Sequence, residues 1–266
     1  GNDISAAAGI LNGTTNFILE KMFCDKMGFD EALKLAQELG YAEKDPTADI
    51  DGADACRKVC ILASLIFGKH VYPDSVYTKG IRDITLEDVE LAEKMNGSIK
   101  LIGSTKRLED GRILSTVMPM VVPEESLISH VNGVFNAIMV WGDGFDKTMF
   151  YGRGAGKLPT ASAVLGDIID SIKSEHTVTS HEWVLDENTD FIANIDSLVA
   201  SRFYRTYVCT SEAYENAAKA AGITVDQITE GGCIISNCDN KTANAFAKAL
   251  EDVGVKVLSQ IPVMAD

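Results

Sequence analysis

Residues 36–58 read AQELGYAEKDPTADIDGADACRK, a helix-like run that breaks at Gly40 and resumes beyond Gly52. Between the two glycines stand Asp45, Pro46 and Asp51. Such residues favour turns because they preset φ or hydrogen-bond their own backbone. The stretch therefore predicts helix, loop, helix. Upstream, Asn16 to Met27 and Phe29 to Leu39 carry apolar residues three to four apart, so the first 70 residues read as helical. Downstream, Asp51 is placed to cap a helix running to Phe67, with Ala55, Val59, Leu62 and Ile66 as its buried stripe. Thr85 and Asp88 form a T-x-x-D variant of the capping box, opening a further helix that ends near Asn96.

Beyond Asn96 the period changes. Ser98 to Ser104, Arg112 to Val122 and Val134 to Trp141 read as strands, separated by Asp110-Gly111, Pro123 and Gly142-Asp143-Gly144. The segment YGRGAGKLPT, residues 151–160, reads as a glycine-rich loop, and a helix follows from Thr160 to Ile172. Ser174 to Asp196 is polar and weakly periodic, a linker. After Ala200 come strand (Phe203 to Cys209), helix (Ser211 to Ala221), strand (Gln227 to Asn237, with a bulge at Gly231-Gly232), helix (Thr242 to Val253) and strand (Lys256 to Pro262). This is one strand short of the split βαββαβ pattern of ferredoxin-like folds. The expected architecture is α+β: a mixed sheet backed by helices over residues 1–173, a linker over 174–199, and a ferredoxin-like βαββαβ unit over 200–266.

Composition bounds the function. A chain of 266 residues with 46% hydrophobic and 24% charged positions has the make-up of a globular protein of about two domains. Its 39 acids against 24 bases give a net charge of −15, which repels phosphate backbones and speaks against a nucleic-acid partner. The longest apolar stretch, Val59 to Gly68, is about half of the ~20 residues a spanning helix needs, so no membrane segment is expected. The six cysteines (24, 56, 60, 209, 233 and 238) form no CxxC pair and no zinc-finger spacing with the four histidines. They read as reduced thiols of a cytoplasmic protein, with no metal site. His70, His130, His176 and His181 join no base–nucleophile pattern, and Ser180-His181-Glu182 is too local to fold into a triad.

The chemistry concentrates in the opening stretch. Glu43, Asp45, Asp49, Asp51 and Asp54 surround a loop that feeds a helix, with Lys58 just inside. Asp54 and Lys58 are four apart and share a helix face. Carboxylates so placed suit a cationic ammonium group, and a lysine among them suits proton transfer to a nearby oxygen. The same residues also make an ordinary solvated acidic loop with a surface i,i+4 ion pair.

The order A-x3-G-Y-A-x2-D-P-x2-D-I-x-G-x-D-x3-K from Ala36 to Lys58 resembles the signature of the homoserine dehydrogenase family. GILNGTTN at residues 9–16 and the segments Gly152 to Gly156 and Pro159 to Val164 resemble two further family motifs, in the same order along the chain. The resemblance implies NAD(P)H-dependent, reversible reduction of L-aspartate 4-semialdehyde to L-homoserine in threonine and methionine biosynthesis. It assigns Lys58 as the catalytic proton donor and Glu43 as the holder of the substrate ammonium. Asp49, Asp54 and Thr14 become further substrate-binding residues, and Gly154 and Gly156 lie near the cofactor. It implies a homodimer, and a helix at 160–172 that returns toward the cofactor domain.

The chain departs from the family pattern in showing no Rossmann fingerprint. Its glycine cluster has Lys157 where the third glycine of GxGxxG belongs, and Tyr151 removes a P-loop reading. The expectation is a fragment that begins after the cofactor domain. The last 67 residues resemble an ACT-type regulatory module, which in this family implies a threonine effector. The turn Cys209-Thr210-Ser211-Glu212-Ala213 lacks the Asp and Gly such modules commonly carry there, so a purely structural module stands beside the effector reading. The alternative for the whole chain is a non-catalytic amino-acid-binding or interaction protein on the same scaffold.

Overall fold

The alternating runs beyond Asn96 become the spine of a six-stranded mixed sheet in the computed structural model, which describes residues 2–173, 183–185, 188–207 and 209–265. The first unit comprises β1 (Ile4–Ile10), α1 (Gly13–Cys24), α2 (Phe29–Glu38), α3 (Thr47–Ile50), α4 (Ala53–Phe67) and β2 (Tyr77–Thr78). It continues with α5 (Leu86–Lys94), β3 (Gly97–Arg107), β4 (Ile113–Pro123), β5 (Phe135–Gly142), β6 (Asp146–Arg153) and α6 (Lys157–Lys173). The strand order is β2-β4-β3-β1-β5-β6, antiparallel throughout except for the parallel β2–β4 pair.

Alternation along the strands splits the core in two. Leu101 and Val117 face the layer holding Ile18, Leu19, Met22, Val59, Ala63 and Val89 of α1, α4 and α5. Their neighbours Ile102 and Met118 face the opposite side, with Met120, Met139, Leu198 and Met264.

Several expectations change. The first 70 residues are not wholly helical, because Ile4–Ile10 forms β1 in mid-sheet between β3 and β5. Its sequence, ISAAAGI, is poor in β-branched residues, but its narrow side chains let neighbouring strands close in. A Cβ on Gly9 would stand 1.9 Å from the Ala137 carbonyl oxygen. The loop at 40–52 contains the one-turn α3, and Gly52, not Asp51, occupies the cap of α4, at φ 86°. That left-handed backbone suits glycine, and Asp51 instead pairs with Arg82. The α4 stripe is shifted: Ala55, Cys56, Val59, Cys60, Ala63 and Ser64 are buried, small residues that allow the helix to lie close on the sheet. The Thr85–Asp88 capping box is present with both of its hydrogen bonds. The glycine-rich segment is half strand and half helix, since β6 runs to Arg153 and α6 starts at Lys157. No residue of α6 is buried, and Leu158, Leu165 and Ile172 are its most exposed apolar side chains.

The second unit holds β7 (Ala200–Thr206), α7 (Ser211–Ala221), β8 (Val225–Thr229), β9 (Gly232–Cys238), α8 (Asn240–Asp252) and β10 (Val257–Pro262). The single bulged strand expected at 227–237 is a hairpin, β8–β9, turning at Glu230-Gly231, where Gly231 has φ 91°. The antiparallel order β10-β7-β9-β8 completes the βαββαβ arrangement. Tyr204, Tyr214, Cys233, Ile235, Phe246 and Leu250 fill its core, while Phe203 and Ile261 on the other face join the core of the first unit.

Of the expected linker, residues 174–182, 186 and 187 lie outside the described residues, as do His176, His181 and the Ser180-His181-Glu182 triplet. The following segment lies against the large sheet: Ile113 N–H donates to the Phe191 carbonyl and Ala193 N–H to that of Ile113, both at 2.8 Å. No helix among the described residues is long and apolar enough to cross a membrane.

Candidate active site

β1 ends at Ile10, and the two residues before α1 carry the first half of the site. Asn12 caps α1, its side-chain oxygen accepting from Thr15 N–H at 2.9 Å. Its amide nitrogen donates to Asp49 Oδ1 (2.8 Å) and to Asp54 Oδ2 (2.9 Å). Asp54 sits in the first turn of α4, and Asp49 in α3. One asparagine thus draws two carboxylates from different elements to a single point, and its donors offset part of their mutual repulsion.

Lys58, one turn along α4, completes the cluster. Its Nζ donates to Asp54 Oδ2 at 2.6 Å and to the Leu11 carbonyl at 2.9 Å. An ammonium has three donors, so one N–H of Lys58 is without a partner among the described residues. The Lys58 and Asp54 side chains are 45% and 33% exposed. The ammonium is therefore held by two fixed acceptors at an open face, with one proton directed elsewhere.

Other expected residues take distinct places. Thr14 Oγ1 donates to the Tyr41 carbonyl at 2.8 Å, tying the start of α1 to the loop after α2. Glu43 follows two residues later, exposed, and its carboxylate has no hydrogen bond or ion pair among the described residues. The structure thus joins Lys58 and Asp54 directly, Asp49 to Asp54 through Asn12, and Thr14 through its own neighbours, but leaves Glu43 outside the bonded cluster.

Two residues of the site were not anticipated. Asn12 carries a sequence signal, an Asn immediately before a helix, but its grip on the two acids depends on tertiary contact. Asn136 on β5 has no local signal. Its Nδ2 reaches the Leu11 carbonyl at 3.4 Å, the acceptor that also anchors Lys58, and its Oδ1 is buried without a partner among the described residues. A Cβ on Gly154 would stand 2.1 Å from Asn136 Nδ2, so the bare backbone there makes room for this amide. Gly156 has φ 121°, a conformation that side chains rarely adopt.

The family model described as homoserine dehydrogenase matches residues 1–169, the segment that carries the whole of this cluster. The chain belongs to the homoserine dehydrogenase family. The homoserine dehydrogenase of Bacillus subtilis is 40% identical over 206 residues, covering 77% of this chain and 47% of that protein. The crystal structure of the homoserine dehydrogenase of Thiobacillus denitrificans superposes with a TM-score of 0.86 at 34% identity, covering 99% of this chain and 64% of that one. A hyperthermophilic archaeal homoserine dehydrogenase mutant, solved in complex with NADPH, gives a TM-score of 0.55 at 30% identity over 65% of this chain and 49% of its own. The chain spans about half the length of the curated homoserine dehydrogenases it matches.

Proposed function

We propose that this chain carries the substrate-binding and proton-donating portion of a homoserine dehydrogenase, which reversibly reduces L-aspartate 4-semialdehyde to L-homoserine. The observation that carries this reading is the Lys58 ammonium, anchored on Asp54 and Leu11 at an open face, with one N–H left over among the described residues. In the reducing direction that N–H donates to the carbonyl oxygen, where negative charge grows in the transition state. Asp54 and the Leu11 carbonyl hold the donor in position, and in the oxidising direction the neutral amine accepts the hydroxyl proton. Asp49 and Asp54, aligned by Asn12, form the acidic wall for the substrate ammonium. Glu43, its carboxylate unspent, takes the same ammonium from the loop side, and Thr14 sets the floor beneath.

NAD(P), when bound, supplies or accepts the hydride. The residues present fit its approach: residues 152–156 are exposed, Gly154 lies bare against Asn136, and Gly156 leaves open backbone beside Pro159. Gly154 and Gly156 line this approach, with most dinucleotide contacts coming from outside these 266 residues. The unburied apolar face of α6 suits packing against that nucleotide-binding region. We assign a homodimer and a cytoplasmic setting on the same family basis.

The βαββαβ order of the second unit favours an ACT-type regulatory role, with threonine as the effector to test first. Boundaries at 1–173, 174–199 and 200–266 describe this division.

The test is Lys58→Ala in the intact enzyme, assayed by homoserine-dependent reduction of NAD(P). Loss of general acid–base catalysis lowers kcat about 10²–10⁴-fold, with a much smaller change in KM. Activity retained within a few-fold of the parent would remove Lys58 from this role. The 266-residue chain alone is expected not to turn over.

A further inference from the structure

The seam between the two units forms a half-open cavity of about 580 Å³, within the range of small-molecule sites. Lys79 and Asp83 line it from the loop between β2 and α5, Arg202 from β7, and Asn240 and Asn244 from α8. None of the residues around Lys58 reaches it, nor does the turn at 209–213.

Arg202 is the unusual member. Only 1% of it is exposed, and burial pulls its pKa down. One terminal nitrogen donates to the Ala200 carbonyl at 3.1 Å; the other donates to the Leu198 carbonyl at 3.4 Å and to Asn240 Oδ1 at 2.7 Å. All three acceptors are neutral. A guanidinium has five N–H donors, so two are unspent among the described residues. The neighbouring acid, Asp239, spends its Oδ1 on capping α8 through Thr242 N–H. No carboxylate among the described residues lies within ion-pair distance of Arg202.

Two comparisons within the molecule sharpen the point. Arg205, three residues along the same strand, has a carboxylate partner in Asp88 at 2.6 Å. Lys100, equally buried, spends all three donors on Asn16 Oδ1, the Val131 carbonyl and Asn132 Oδ1. Among the described residues, Arg202 alone of the three has neither a counter-charge nor a full set of acceptors. Burying a charge in that state is costly, and a bound carboxylate relieves the cost.

The same cavity holds an unspent acid. Asp83 is exposed, and its carboxylate has no partner among the described residues. With Lys79 the charged lining is two cations and one anion, in a chain whose net charge is −15. We propose that this seam cavity binds a free α-amino acid, its carboxylate taken by Arg202 and its ammonium by Asp83. The ligand touches β10 and the loop before α5 together, so it bridges the two units.

Isothermal titration of the 266-residue chain with L-threonine, L-aspartate and glycine, and separately with inorganic phosphate, tests this. At least one amino acid is expected to give a saturable one-to-one isotherm, with phosphate binding at least tenfold more weakly. Asp83→Asn removes the ammonium partner and weakens binding tenfold or more; Asn244→Phe fills the rim and abolishes it. Both positions are exposed, so the fold survives, as circular dichroism will check. Arg202→Gln abolishes binding where it folds, and the two surface variants decide the matter where it does not. No saturable heat from any amino acid at millimolar concentration would overturn the proposal. So would binding unchanged by both Asp83→Asn and Asn244→Phe, or phosphate binding as tightly as the amino acids.

Discussion

Arg205 Nε lies 2.6 Å from Asp88 Oδ1, joining β7 of the second unit to the first turn of α5 in the first. Asp88 is completely buried and Arg205 is 17% exposed. The same carboxylate accepts from Thr85 N–H at 3.0 Å in the capping box and from the Ser259 hydroxyl on β10. One side chain therefore ends a helix, neutralises a guanidinium and pins two strands of the other sheet.

Removing that charge leaves Arg205 uncompensated, and breaking a buried pair costs about 3–5 kcal/mol. Asp88→Asn is expected to lose stability of that order in urea denaturation. Burial works against the Asp88 charge, but its bonds to Arg205, Ser259 and Thr85 outweigh it and hold the pKa below the usual carboxylate value. A depressed folded pKa means the contribution is complete above the unfolded value, about 3.9, and is lost as pH falls through the folded one. The stability gap between parent and Asp88→Asn should therefore narrow below about pH 4. A gap that stays constant from pH 7 to pH 3 would contradict this.

Lys100 gives the opposite slope. Burial pushes its pKa down to about 8, against a partial upward pull from Glu20 and Cys24. Unfolded lysine titrates near 10.4, so between these values the unfolded chain binds more protons and stability rises with pH. Lys100→Met lacks this rise. The difference in unfolding free energy between parent and variant should shift in the parent's favour by on the order of 3 kcal/mol from pH 8 to pH 10.4. Parallel curves would refute the shift.

Asn12 caps a helix and clamps two acids, and two substitutions separate the roles. Asn12→Ala is expected to cost about 1–2 kcal/mol of stability through loss of the cap. Asn12→Ser restores the cap but supplies no amide for Asp49 and Asp54. In the intact enzyme, serine should recover thermal stability while activity stays at least tenfold down. Recovery of both by serine would show that the cap alone matters.

Gly154→Ala forces a methyl group onto Asn136 Nδ2. Overpacking of this kind costs about 1–3 kcal/mol, and it displaces the amide from the carbonyl that anchors Lys58. Adding Asn136→Ala removes the clash, so the double variant is expected to be more stable than the sum of the single effects allows. Additive losses in thermal denaturation would show that the two residues do not touch.

Much of the architecture is written locally. The capping box at Thr85–Asp88 depends only on residues three apart, and the long apolar alternations of β3 and β4 name their own period. The Asp54–Lys58 pair follows from helix geometry once α4 is recognised. The stretch ISAAAGI resists the same treatment, because alanine and glycine suit a central strand only when two neighbouring strands need to approach closely. The β8–β9 turn at Glu230-Gly231 was legible as an irregularity, but whether it bent the strand or reversed it depended on what paired across it.

What the amino-acid order determined by itself was the membership of the site's first residues: an acidic loop, a helix start and one lysine, each set by short-range spacing. Only the tertiary structure brought Asn12 onto Asp49 and Asp54, placed Leu11 and Asn136 behind Lys58, and left Arg202 buried without a counter-charge among the described residues. The physical reason is separation along the chain. Periodicity and capping act over a turn or two, whereas Asn136 meets Leu11 across 125 residues and Arg205 meets Asp88 across 117. Contacts of that range are chosen by how the sheets and helices pack, which no local pattern encodes.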